Sequence, residues 1–116
     1  MTGDELRAYA LSLPQAHEEL TWEVHPTFRM RGKIFAILSA DEHSVRLKAT
    51  PEAQQALVAS EPDTFFLPSH VARFGWVGVQ LERADADEVC ELVEEAWRRT
   101  APRRLVRDVD ERGGGR

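Results

Sequence analysis

Three short stretches of the chain alternate in side-chain character from each residue to the next, a period of two that belongs to extended strands covered on one face. They are Thr27-Phe28-Arg29-Met30-Arg31, Ser44-Val45-Arg46-Leu47-Lys48 and Trp76-Val77-Gly78-Val79-Gln80-Leu81. Between the first two, Ile34 to Leu38 is apolar on both parities, as suits a central strand. Gly32 and Asp41-Glu42-His43 supply the turns on either side of it. An antiparallel meander follows, and Phe65-Phe66 offers a further short strand.

Helix signals flank these strands. Thr2-Gly3-Asp4-Glu5 has the spacing of a capping box, followed by Leu6, Tyr9, Ala10 and Leu13 on one face and then Pro14. Thr50-Pro51-Glu52 places a hydroxyl at the N-cap, a proline where its missing amide costs nothing and an acid at the positive end of the dipole. That helix is expected to reach about Ser60, before Glu61-Pro62-Asp63. Asp85 with Glu88 caps a last helix whose apolar stripe is Val89, Leu92, Val93, Ala96 and Trp97, ended by Pro102. Residues 15–23 read as a polar connection. Residues 107–116, closing on Gly113-Gly114-Gly115, read as a disordered tail. The expectation is a two-layer α+β domain over residues 1–106, ordered αβββαββα. Its antiparallel sheet packs on the first and last helices and leaves its other face partly open.

With 116 residues, 42% hydrophobic and 30% charged, one globular core is expected. No apolar run approaches the roughly 20 residues that span a bilayer, and Met1-Thr2-Gly3-Asp4-Glu5 does not resemble a secretory signal, so a cytoplasmic location is expected. A single cysteine, Cys90, supplies neither an internal disulfide nor a thiolate cluster. It falls at the edge of the last helix's apolar stripe, where it packs as a small hydrophobe.

Catalytic chemistry finds no foothold in the spacing. There is no glycine-rich phosphate loop, nucleophile elbow or His-Glu-x-x-His, and His17, His25, His43 and His70 are scattered. No catalytic residue, metal or cofactor is expected. The acids from Asp85 to Glu95 fill the polar face of the last helix, and Arg98 and Arg99 offset its C-terminal dipole.

Binding is better supported. If Phe28, Met30, Val45, Leu47, Val77 and Val79 face the helices, alternation assembles Arg29, Arg31, Arg46, Lys48 and Trp76 on the other side, with Lys33 and Arg73 extending the group. Cations beside an indole can neutralise phosphates and stack on a base. The same side chains also serve simply to cover an open sheet face and screen the tryptophan. The net charge of −5 requires any nucleic-acid surface to be locally basic. An alternative use of the same face is a protein-interaction or small-ligand site anchored on Trp22 and Trp76.

The ordered pieces Trp22, His25-Pro26-x-Phe28, Gly32-Lys33-x-Phe35, Leu47-Lys48, Pro68 through Arg73, Trp76-Val77, Ala96-Trp97 and Ala101-Pro102-Arg103-Arg104-Leu105 resemble the MmcQ/YjbR family over nearly everything from Leu6 to Val106. The resemblance implies a CyaY-like α+β fold and DNA binding through a double-wing surface. It supplies no contact residues, so Arg29, Arg31, Lys33, Arg46, Lys48, Arg73 and Trp76 stand as the expected nucleic-acid face on alternation alone.

Overall fold

The Thr2 capping box forms in both directions: the Thr2 hydroxyl accepts from the Glu5 amide at 3.1 Å, and a Glu5 carboxylate oxygen accepts from the Thr2 amide at 2.9 Å. It opens helix α1, Gly3–Ser12, in a computed structural model that describes residues 1–21 and 24–114, with side chains through Arg112. The expected roles of Trp22 and of the last two residues of the tail lie outside the described residues.

Five strand expectations are met in place: β2 (His25–Met30), β3 (Lys33–Leu38), β4 (Ser44–Leu47), β5 (Phe65–Phe66) and β6 (Val77–Gln80). Residues expected to form a polar connection instead contain strand β1, Ala16–Thr21. Its alternation is hidden because only one of its neighbours is a strand, so polar His17, Glu18 and Glu19 are tolerated on both faces. The sheet runs β1-β2-β3-β4-β6-β5 with every pairing antiparallel. Arg31 and Gly32 form the two-residue β2–β3 loop with φ of 52° and 80°, the positive pair that defines hairpin turns matched to strand twist.

Helix α2, Pro51–Ser60, starts at the Thr50 cap, and α3, Ala86–Thr100, starts at Asp85, whose carboxylate accepts from the Glu88 amide at 3.1 Å. Helix α3 packs over β3 and β4, and α1 lies over β1 and against α3. Cross-strand partners share a face, so Phe28, Met30, Ala36, Leu38, Val45, Leu47, Phe65, Val77 and Val79 form the buried side of the sheet beneath these helices. Trp97, buried at 1% exposure, fills the interface and donates its indole N–H to the Pro14 carbonyl at 3.0 Å. That bond fixes α3 to the chain leaving α1.

The expected disordered tail is instead helical as far as Gly114, in α4, Arg103–Gly114. Leu105, Val106 and Val109 pack against the core, and Arg98 of α3 holds both oxygens of Asp110 at 2.7 and 3.2 Å. An amphipathic helix with an anchoring ion pair therefore replaces what polar composition and a glycine run suggested.

Arg7 ties three elements together on the helix side. Its guanidinium reaches Asp4 at 2.9 Å, Glu18 of β1 at 3.0 Å and Glu42 of the β3–β4 turn at 3.2 Å. Glu42 first, then Glu18, raises the pKa of Arg7 above its ordinary value.

Candidate nucleic-acid interface

The sheet face turned away from α1 and α3 follows from register. His17, Glu19 and Thr21 of β1, His25, Thr27 and Arg29 of β2, Ile37 of β3, Ser44 and Arg46 of β4, Phe66 of β5, and Gly78 and Gln80 of β6 share it. Lys48 follows Arg46 by two residues and is held by its amide on the Phe35 carbonyl at 3.1 Å. Carrying the β4–β6 register one residue further sets it opposite Trp76, which is half-buried. Arg29, Arg46, Lys48 and Trp76 thus fall on this face by register.

Arg29 is committed to the sheet. Its Nε donates to the Thr27 hydroxyl at 3.2 Å, one terminal nitrogen to the Thr21 hydroxyl at 3.0 Å and the other to the Gly32 carbonyl at 3.4 Å, with Glu19 at 3.5 Å. Thr27 is fully buried and passes its own hydroxyl proton to the Glu19 carbonyl at 2.8 Å. The group locks β1 onto β2 and leaves Arg29 little capacity for a ligand.

Arg31 and Lys33 leave the expected group. Arg31 sits in the hairpin turn, where alternation ends, and its Nε donates to the Gln15 side chain at 3.1 Å, in a recess shared with Pro102, Leu105 and Asp108. Lys33 is exposed opposite Met30, whose side chain belongs to the helix side. Arg73 lies on a single 3₁₀ turn, Ala72–Phe74, with its guanidinium carbon 4.7 Å from the centre of the Phe74 ring.

Among the described residues Arg46, Lys48, Lys33 and Arg73 form no ion pair, whereas Arg7, Arg29 and Arg98 all do. Cations held half-buried on a sheet without carboxylate partners are available to an anion. Arg46 and Lys48 are the pair that one strand sets on one side.

This face is not a bare sheet. The Phe66 ring lies so close over Gly78 that a β-carbon there would collide with it. Beyond it the chain turns back at Ser69-His70-Val71. The Val71 amide donates to the Ser69 carbonyl at 2.8 Å across His70, whose φ is 68°. A hydrogen bond spanning one residue at positive φ is the geometry of the rare, strained γ-turn. His25, Ile37 and Arg46 of the sheet and Ser69, His70 and Val71 of the turn enclose a groove of about 730 Å³. Gln54 of α2 secures the chain beyond: it is 7% exposed, and its side-chain amide donates to the carbonyls of Ala72 at 2.8 Å and Trp76 at 2.6 Å.

The groove residues His25, Ser69 and His70 were not expected from the sequence. Nothing in the pattern of residues 65–73 announces a γ-turn, and only the histidine in Pro68-Ser69-His70 hints at polar purpose.

The YjbR family model matches residues 11–99, which takes in all six strands and α2 and nearly all of α3. The chain belongs to the YjbR family. Its fold is also that of the crystal structure of Deinococcus radiodurans protein DR2400, a DUF419 domain, with a TM-score of 0.75 and 23% identity over 83% of this chain and 75% of that one. No curated protein matches the sequence. The YjbR match begins at Leu11, inside α1, and ends before α4, so the Arg98–Asp110 pair joins a residue of the matched region to a helix beyond it. No helix among the described residues is long and apolar enough to cross a membrane.

Proposed function

We propose that this YjbR domain acts by binding rather than catalysis, and that it binds DNA through the open face of its sheet. Arg46 and Lys48 are the principal phosphate contacts, Arg73 extends them along the 3₁₀ turn, and Trp76 provides apolar surface beside them. The observation that carries the reading is that Arg46 on β4 and Lys48 just after it are half-buried and have no carboxylate partner among the described residues, in a chain whose net charge is −5. Arg29 contributes by holding β1 and β2 in place, and Arg31 and Lys33, at the hairpin tip, stand outside the contact set.

Two or three phosphates on this face imply modest affinity with a shallow salt dependence. At about 0.9 logarithmic unit per phosphate, raising salt from about 50 to about 150 mM weakens binding roughly 7- to 20-fold. Anisotropy titration of labelled duplexes of two unrelated sequences tests this. Similar affinities and that salt slope are expected. A duplex left unbound at low salt, or bound without salt dependence, overturns the reading.

A further inference from the structure

The groove between the γ-turn and the sheet combines Arg46 with residues that the proposed DNA surface does not use. One wall offers Arg46, the other Ser69 and His70, and His25 stands at the sheet side. Ile37, 8% exposed, and Val71 give it apolar surface. Among the described residues no carboxylate lines it, so the polar groups present a cation and hydrogen-bond donors to whatever enters. The volume of about 730 Å³ falls within the range of sites that hold a small organic molecule, and a few polar groups on an apolar lining is their usual chemistry. The left-handed conformation of His70 is a strained one, as is frequent where a loop is shaped for a ligand.

We infer that this groove is a binding site for a small organic oxyanion of about mononucleotide size, whose charged group meets Arg46, Ser69 and His70 and whose flat body lies against Ile37 and Val71. The site shares Arg46 with the proposed DNA surface and otherwise stands independently of it. A phosphate ester and a carboxylate present the same oxyanion chemistry to a guanidinium. The phosphate has the additional oxygen to engage the turn as well.

The test is chemical-shift titration of the full ¹⁵N-labelled chain with adenosine 5′-monophosphate, adenosine, benzoate and inorganic phosphate. The monophosphate is expected to shift the amides of His25, Ile37, Arg46 and Ser69 to Val71, at least tenfold more tightly than adenosine. Tighter binding of the monophosphate than of benzoate assigns the oxyanion to phosphate, and the reverse assigns it to carboxylate. Inorganic phosphate binding as tightly as the monophosphate overturns the inference, because the apolar walls then contribute nothing. Equal binding of monophosphate and adenosine, or no shift at millimolar monophosphate, overturns it as well. Arg46→Gln should weaken the monophosphate at least tenfold. Ser69→Trp, at an exposed position of the turn, should fill the groove and abolish monophosphate binding with an unchanged unfolding midpoint. Duplex DNA binding that survives Ser69→Trp separates the groove from the wider face. Monophosphate binding in a chain that ignores DNA sinks the DNA reading alone.

Discussion

Removing the Gln54 side chain should release the segment that carries Arg73 and Trp76. Gln54 lies on α2, is 7% exposed, and has both amide protons engaged, to the Ala72 carbonyl at 2.8 Å and the Trp76 carbonyl at 2.6 Å. Each such bond contributes about 1 kcal/mol net, and the Trp76 carbonyl left without this donor costs a further ~1–2 kcal/mol, whereas the Ala72 carbonyl keeps the Gly75 amide at 3.0 Å. Alanine returns only a few tenths of a kcal/mol through its helix propensity. Gln54→Ala is therefore expected to destabilise the domain by about 2–4 kcal/mol. With a urea dependence of roughly 2 kcal/mol per M, the midpoint falls by about 1–2 M. Gln54→Glu sharpens the test because it keeps the length of the side chain but, when ionised, only accepts. It should be at least as damaging at pH 7 and should recover part of the loss in acid, where a protonated carboxyl can serve one carbonyl. Urea unfolding with amide exchange at Gly75, Trp76 and Val77 reads both effects. A Gln54→Ala midpoint within about 0.5 kcal/mol of the parent chain refutes the reasoning, since the turn is then held by other contacts.

Other perturbations follow from the same structure. Arg7→Met leaves Glu18 and Glu42 without their shared cation and should cost about 1–2 kcal/mol at low salt, shrinking as salt is raised; urea midpoints at two salt concentrations check it. Gly78→Ala forces a methyl group into the Phe66 ring and should cost about 1–3 kcal/mol, with the largest chemical-shift changes at Phe66 and Arg46, its two cross-strand partners. The Arg98 guanidinium lowers the pKa of Asp110 from 3.8, so the ion pair's contribution is complete above that value and is lost as pH falls through the lowered pKa. Protection of the α4 amides, taken relative to their intrinsic exchange rates, should accordingly fall only in acid. Asp110→Asn should bring that loss of protection to pH 7, and unchanged protection in that variant would show that the apolar contacts alone hold α4.

Much of the architecture was legible because local signals and burial agreed. Thr2, Thr50 and Asp85 cap helices where their neighbours suggest, and Val45, Leu47, Val77 and Val79 turn inward as their alternation requires. The misread segments are those whose stability comes from elsewhere. Strand β1 depends on pairing with β2 and on Arg7 and Arg29, not on an apolar face of its own. Helix α4 depends on Leu105, Val106, Val109 and the Arg98 pair, all of which need α3 already in place. The same division holds at the site. Alternation assigned Arg29, Arg46 and Lys48 to one face, but it could not follow Arg31 into the hairpin turn or anticipate that Met30 would carry Lys33 to the helix side. Nor does alternation distinguish a cation enclosed by threonine hydroxyls, as Arg29 is, from one without an ion-pair partner among the described residues, as Arg46 is.

The sharpest measurement is a comparison of duplex DNA binding between the parent chain, the double variant Arg46→Glu/Lys48→Glu, and a control, Arg103→Glu/Arg104→Glu, which makes the same change of charge on α4. At about 50 mM salt the β4 variant should lose at least tenfold in affinity while the control loses no more than about threefold. Equal losses in the two variants, or a β4 variant that binds as the parent does, would contradict the assignment of the open face.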